Sequence, residues 1–490
     1  MPGDAGHLSF SSLSLARDVV SVSVTGPITL LHIMDQFLEQ LFVGLWNRLR
    51  GRGRGARHEG GALDLGYRVV DGRATHWHES ISNTRRAMHV AVLGKTGTGK
   101  SSLLRHLMQQ DVARDRGFLV LDIHGELTPF LLRTISARER REGRHLSDKL
   151  ILVSPGDPEM SVGLNPLEHA DDFVRIAEFS QILRERWALD HFGARTDELL
   201  RNSLFVLAAN GLTLLELSLL LTHAGFRVAC MKKVLNPEVR QYFELRFDPL
   251  SDAMRAVMRE PILNKISAYT ADPHFRHIVG QTHSSFSVRE AMDDGSWIVV
   301  NLEKGRLGEH SLTLGSLILT MLKNALFSRT KRSLFTVYCD EIQNFVAQGS
   351  GIETMLSEAR KFGVAFVAAN QFLDQYPAET RAAILAIGTH IFFQLSSSDA
   401  SQVSQALDGG KPLAERLKNL PARRAIVKSS SDRWTEIAVP TVLEPKVDCA
   451  DLLIRSRYGR GRVRAHVERD IAERQKSFTQ TTSEALHDWE

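Results

Sequence analysis

The chain has 490 residues, 43% hydrophobic and 24% charged, which is too long for one compact core, suggests about three domains, and excludes a disordered or fibrous protein. Its 61 Lys and Arg against 57 Asp and Glu leave a net charge of +4, too small an excess to name nucleic acid as the partner. Cys230, Cys339 and Cys449 stand far apart with no CxxC pair, which argues against a disulfide framework or a zinc site and fits a reducing cytoplasm.

In chain order, Met1 to Gly26 lacks the basic start and continuous apolar core of a secretory signal, so export is not expected. From Pro27 to Trp46, Leu30, Leu31, Met34, Phe37, Leu38, Leu41, Phe42 and Leu45 recur at helical spacing, interrupted by His32, Asp35, Gln36, Glu39 and Gln40. That pattern predicts an amphipathic helix, too polar to span a bilayer, whose stripe either packs on the body of the protein or docks on a membrane surface or partner. Arg48, Arg50, Arg52, Arg54 and Arg57, interleaved with glycines through Gly60 and Gly61, mark a flexible basic linker and a boundary.

Beyond it, seven runs are rich in branched or aromatic residues: Val90 to Leu93, Phe118 to Ile123, Lys149 to Val153, Ile298 to Leu302, Leu334 to Cys339, Val364 to Ala369 and His390 to Leu395. They are continuously apolar rather than alternating, as strands covered on both faces should be, and predict an α/β fold with a mainly parallel sheet. Between Val153 and Trp297 no convincing strand occurs, and helical patterns such as Phe173 to Trp187 and Glu198 to Ala208 predict an inserted all-α domain. The resulting division is 1–61 amphipathic helix and linker, 62–167 first part of the α/β domain, 168–290 all-α insertion, 291–448 second part of the α/β domain and 449–490 basic helical tail. In the tail, Arg455, Arg457, Arg460, Arg462, Arg464 and Arg469 surround Tyr458 before a polar, frayed end.

The sharpest signal is Gly94-Lys95-Thr96-Gly97-Thr98-Gly99-Lys100-Ser101, which satisfies G-x-x-x-x-G-K-[ST] directly after a predicted strand and before a helical run beginning at Ser102. Its glycines let backbone N–H groups turn toward phosphate oxygens, and the new helix points its positive end at the same charge. Lys100 is expected to reach the β and γ phosphates of ATP, and the Ser101 hydroxyl to bind Mg²⁺. Gly94 to Ser102 is thus the expected nucleotide-binding set.

Such a loop needs an acid for magnesium and a group that activates water. The strand ending at Cys339 is followed by Asp340-Glu341, of which Asp340 suits the metal side and Glu341 the general base, although two acids after an apolar strand also begin ordinary loops. Open parallel sheets bind ligands at the carboxyl ends of their strands, which brings in Gln371 after Val364 to Ala369, to sense the γ-phosphate or orient water, or else to cap the strand. Asp122 and His124, after Phe118 to Leu121, are as well explained by hydrogen bonding beside the loop as by catalysis. Arg360 ends a helix with Ile352, Met355, Leu356 and Ala359 on its stripe, expected close to the sheet's active edge. It either enters a neighbouring subunit's site or only matches its helix dipole.

These segments, with Leu164 to Leu167, Ile298 to Gly308 and Leu356 to Gly363, resemble in order the RecA-like ring ATPases that include the conjugative coupling proteins of type IV secretion and the HerA/FtsK-like DNA translocases. The resemblance implies a RecA-like P-loop NTPase, an ATP- and Mg²⁺-dependent homo-hexamer that moves DNA through a channel without sequence preference. It assigns Lys100 and Ser101 to nucleotide and magnesium, Asp340 and Glu341 to hydrolysis, Gln371 to phosphate sensing and Arg360 to the adjacent subunit in trans. It also implies secretion-channel or relaxase-type protein partners and a cytoplasmic protein, peripheral at the inner face of the membrane if 27–46 docks there. Where many coupling proteins begin with transmembrane helices, this chain has the interrupted segment; for a HerA-like β-barrel, Leu13 to Thr25 and Ala62 to His78 offer too few strands; and the family's D-P-H-G is Asp122-Ile123-His124-Gly125. A protein-substrate secretion ATPase, a HerA-like DNA-processing translocase and a nucleotide-dependent scaffold are the other readings. The arginine clusters at 48–57 and 455–469 either contact phosphates or form solvated linker and tail.

Overall fold

In the computed structural model, residues 62–487 are described apart from 169–172, 188, 190–192, 346–351 and 431–432. The expected helix at Pro27 to Trp46, the segment Leu13 to Thr25 and the linker at Arg48 to Arg57 lie outside the described residues.

Eleven strands form one sheet in the order β2-β1-β12-β11-β10-β3-β9-β8-β4-β7-β5. Its parallel part contains β10 (Thr389–Phe392), β3 (Val90–Leu93), β9 (Val364–Asn370), β8 (Phe335–Cys339), β4 (Phe118–Asp122), β7 (Trp297–Asn301) and β5 (Leu150–Val153). Every residue of these seven strands is buried, as their unbroken apolar sequences require. Alternate residues feed two cores. Val90, Val92, Val120 and Val299 pack under helices α1 (Lys100–Ala113) and α2 (Leu127–Glu142), whereas Leu119, Leu121, Ile298 and Val337 face the helices that follow β5.

The other four strands are antiparallel and extend the sheet beyond β10: β11 (Arg424–Ser430), β12 (Arg433–Ala438), β1 (Leu63–Val70) and β2 (Arg73–Ile81). The segment 62–78, too sparse in sequence to affirm a barrel, thus forms the outer edge of the main sheet. Only the last part of β2 is buried, and its run of Arg, His and Glu carries no apolar repeat.

Between β5 and β7 the chain is helical, including α3 (Phe173–Arg186), α4 (Ala194–Ala209) and α5 (Asp252–Thr270), with only the two-residue β6 (Met160–Ser161) before them. After β7, α6 (Glu309–Phe327) covers the same sheet face and packs on α3. The tail forms α7 (Ala450–Arg460), β13 (Arg462–Val463) paired to β6, and α8 (Arg464–His487).

Several of the tail arginines have partners that the sequence reading did not foresee. Arg455 pairs with Glu139 at 2.8 Å, Arg457 with Asp157 at 2.6 Å, and Arg464 donates to the Pro155 carbonyl. Arg462 pairs with Asp470 inside the tail. Arg455, Arg457 and Arg464 tie the tail to the rest of the chain, whereas Arg462 and Arg469 remain exposed, and the frayed end expected from its polar sequence is helix to His487. Among the described residues no single helix is long and apolar enough to cross a membrane, and no group of three or more His, Cys, Asp or Glu could hold a metal. The three cysteines are free thiols.

Candidate nucleotide-hydrolysis site

The loop Gly94–Ser101 joins β3 to α1 at the carboxyl edge of the parallel strands. Gly97 and Gly99 have φ of 76° and 121°, a backbone that glycine adopts without strain. A Cβ on Gly99 would also lie 3.0 Å from the Phe393 ring and 3.1 Å from Arg423 Cα. Neighbouring strands pin the loop: Lys95 N–H donates to Gln394 O at 2.9 Å, and Arg423 N–H to Thr98 O at 2.7 Å. The first turn of α1 has neither a side-chain cap nor an acid, so its N–H groups are left to an anion. Ser101 and Ser102 are half-buried in that turn, and Thr96 and Gly97 are exposed.

Lys100 folds back over its own loop, its Nζ donating to Gly94 O at 2.7 Å and Lys95 O at 3.3 Å. The same ammonium lies 4.0 Å from Glu341 Oε1. Burial holds the amine below the usual lysine range, against the pull of Glu341 and Asp340.

Between β3 and β8 lies β9, so the loop and the acid pair are two strands apart with Gln371 at the end of the strand between them. Gln371 Nε2 donates to Glu341 Oε1 at 3.0 Å. Asp340 and Glu341 are both buried. Burial first, then repulsion from Glu341, pushes the Asp340 carboxyl up to about 6. Two adjacent, crowded carboxylates beside a hydroxyl-bearing loop fit a hard divalent cation, which takes one or two carboxylates plus phosphate oxygens.

Asp122 is a helix cap in this structure. One oxygen accepts from Gly125 N–H at 2.9 Å; the other accepts from Leu127 N–H, Thr128 N–H and Thr128 Oγ1 at 3.0, 2.7 and 2.7 Å, satisfying the open end of α2. His124 is exposed, and its charge acts on Asp340.

Arg360 is not at the active edge, contrary to the sequence expectation. It lies in the 3₁₀ turn Ala359–Phe362, which leads through Gly363 into the start of β9. At about 3.3 Å per residue, the strand Val364–Asn370 puts it roughly 20 Å from Gln371 at the far end. The sheet grows from β strand starts on Arg360's side toward the phosphate loop on the other, so Arg360 and the loop of its own chain occupy opposite edges. Sequence reasoning did not single out His89, whose Nε2–H donates to Leu356 O at 2.7 Å while Nδ1 accepts from Phe366 N–H at 3.0 Å, tying the helix before Arg360 to β9. It also missed Gln343, whose Nε2 donates to Glu341 Oε2 at 2.5 Å. The available signal was its place two residues after the acid, on the turn that follows β8.

A family profile described as "Helicase HerA, central domain" matches residues 83–191, which include the phosphate loop and end before the acid pair. The plasmid coupling protein TrwB solved with ADP and Mg²⁺ superposes with a TM-score of 0.56 at 18% identity, over 81% of this chain and 99% of that one. Its sulphate complex gives 0.57 at 18% identity, over 81% and 98%. The chain has the RecA-like P-loop fold of the coupling proteins. VirB4 of Thermoanaerobacter pseudethanolicus shares it with a TM-score of 0.53 at 14% identity, over 79% of this chain and 98% of that one. No curated protein matches the sequence.

Proposed function

We propose that the chain is an ATP-hydrolysing motor that translocates DNA during conjugative or mobile-element transfer. The observation that carries this reading is the approach of Lys100 Nζ to Glu341 Oε1 at 4.0 Å, with Gln371 bonded to the same carboxylate. It supports a reading in which Lys100 binds phosphate, Glu341 activates water and Gln371 senses phosphate in one site. The likeness to coupling proteins supports the DNA substrate.

Gly94 to Ser102 cradle the triphosphate, and Lys100 exchanges its carbonyl partners for the β and γ oxygens. Ser101 and Asp340 hold Mg²⁺, which neutralises charge on the phosphates. Glu341 takes the proton of the attacking water, and Gln371 senses the γ-phosphate. Arg360, far from its own loop, serves the site of the next subunit, which makes the working form a ring, six copies by family likeness. The parts are the motor 62–167 and 291–448, the all-α insertion 168–290 and the tail 449–490. The segment 27–46 gives peripheral contact at the inner face of the cell membrane, where secretion-channel or relaxase-type partners are met.

The test is ATP turnover by the purified chain without nucleic acid, with single strands and with duplex, alongside Lys100→Ala and Glu341→Gln. Stimulation by DNA that both substitutions abolish supports the motor. Turnover indifferent to DNA overturns the DNA substrate in favour of a protein-secretion ATPase, and no turnover under any condition leaves a nucleotide-dependent scaffold. Mixing Arg360→Ala with Glu341→Gln subunits restores hydrolysis if the arginine acts in trans; no recovery at any ratio removes that role.

A further inference from the structure

Glu341 is held on both sides. Oε1 accepts from Gln371 at 3.0 Å and faces Lys100, while Oε2 accepts from Gln343 at 2.5 Å. A carboxylate acts as a general base through a lone pair aimed at water. Here an amide N–H is bonded to each oxygen, so the carboxylate is tethered on both sides and must release a donor before it can turn freely to water. The backbone of Glu341 is also left-handed, with φ 55° and ψ 52°, a conformation that non-glycine residues hold only where surroundings impose it.

Among the described residues the Gln343 side chain has no other hydrogen bond. Its Oε1 is buried without a hydrogen-bond partner among the described residues, an arrangement that calls for a reason. Among the described residues the amide is therefore bonded through Glu341 alone, and swinging away breaks that one bond. Its backbone, by contrast, is fixed: Asn344 N–H returns to Glu341 O at 3.0 Å, and Ser316 Oγ on α6 donates to Phe345 O at 3.0 Å.

We infer that Gln343 is a positioning residue that, together with Gln371, clamps Glu341 in a resting state and restrains hydrolysis until nucleotide and substrate are engaged. This rests on the motor reading above and adds a regulatory contact to the same site. Gln371 leaves the carboxylate for the γ-phosphate, and Gln343 then sets how readily Glu341 turns to water.

The experiment measures kcat and KM for ATP, with and without DNA, for the full chain carrying Gln343→Met, which keeps length and removes the amide. Loss of one charge-assisted hydrogen bond from the resting state raises DNA-free kcat about tenfold, leaves KM unchanged and lowers the DNA stimulation ratio correspondingly. A side chain with a merely structural role would lower kcat or alter both constants. An unchanged or reduced DNA-free kcat overturns the inference. So does a rise that persists in Gln343→Met/Glu341→Gln, since the effect would then bypass the carboxylate. If the Met variant fails to bind ADP, Gln343→Asn, whose amide is too short to reach, replaces it with the same expectation. Should turnover survive Lys100→Ala, the motor reading itself fails; with that control inactive and Gln343→Met unchanged, only the clamp fails.

Discussion

Arg86, in the turn before β3, donates from Nη1 to Asp111 Oδ1 of α1 at 2.7 Å and from Nη2 to Asp111 Oδ2, with both side chains wholly buried. Tyr338 of β8 closes the group, its hydroxyl donating to Asp111 Oδ2 at 2.6 Å and accepting from Arg86 Nη2 at 2.9 Å. Three elements of the site, the approach to β3, the phosphate-loop helix and the acid strand, thus meet at one ionic contact. Removing one partner strands a buried charge, so Asp111→Ala is expected to cost about 3–5 kcal/mol. Tyr338→Phe, which removes only the hydroxyl, should cost about 1–2 kcal/mol. Urea denaturation midpoints at constant m-value check both.

Asp340 is a carboxyl raised from 3.8 to about 6 by burial and by Glu341. The folded state therefore favours its protonated form, and its contribution to stability is greatest below pH 3.8 and falls as pH rises to about 6. Asp340→Asn should stabilise the nucleotide-free protein at pH 8 by on the order of 2 kcal/mol, with the gap closing in acid, while abolishing turnover. Thermal unfolding across pH measures the first effect and ATPase assay the second. In the unmodified protein, protons compete with Mg²⁺ for Asp340 as pH drops through about 6, so half-maximal turnover there should need more Mg²⁺ than at pH 8.

The bonds of Asp122 to the start of α2 predict that it acts through that helix and not through the reacting atoms. Asp122→Ala leaves the N–H groups of Leu127 and Thr128 without their acceptor and should cost about 1–2 kcal/mol of stability. ADP affinity measured by fluorescence titration should stay within about threefold of the parent, since a change of that size is under 1 kcal/mol. A loss of hydrolysis at full nucleotide affinity and stability would instead give Asp122 a part in the chemistry.

Glu216 is buried in the helical insertion, with Oε2 accepting from Thr213 N–H and Oγ1 at 2.9 and 2.8 Å, and Oε1 from Arg474 Nε of α8 at 3.0 Å. Beside it Leu215 packs on Val467 and Ile471. Arg474→Met should destabilise the protein by about 3 kcal/mol, and adding Glu216→Gln should restore part of the loss, because the uncompensated charge is then gone. Calorimetric melting of the single and double variants gives the comparison.

Much of the motor was legible because burial on two faces writes itself into a strand as an unbroken apolar run: all seven parallel strands fall on the predicted segments. The phosphate loop carried its own flanks. The antiparallel extension was not legible, since β2 is mostly exposed and β11 confines its apolar residues to Ala425, Ile426 and Val427. The partners of the tail arginines, Glu139 and Asp157, lie some 300 residues upstream, so local sequence showed only an excess of positive charge. Gln343 stayed hidden for a similar reason: its meaning lies in the direction of one amide on a turn. The place of Arg360 was legible and was misread: a residue just before a strand lies at that strand's amino end, opposite the edge where Gln371 follows the same strand.

The strand that separates the phosphate loop from the acid pair has Gln371 just past one end and Arg360 a few residues before the other. All seven of its residues are buried, and it is bonded along both sides. Such a segment shifts as one body or not at all. In a ring of copies it would work as a pushrod: gain or loss of a γ-phosphate at one site would be felt as a displacement at the next, so that successive sites fire in sequence and not independently.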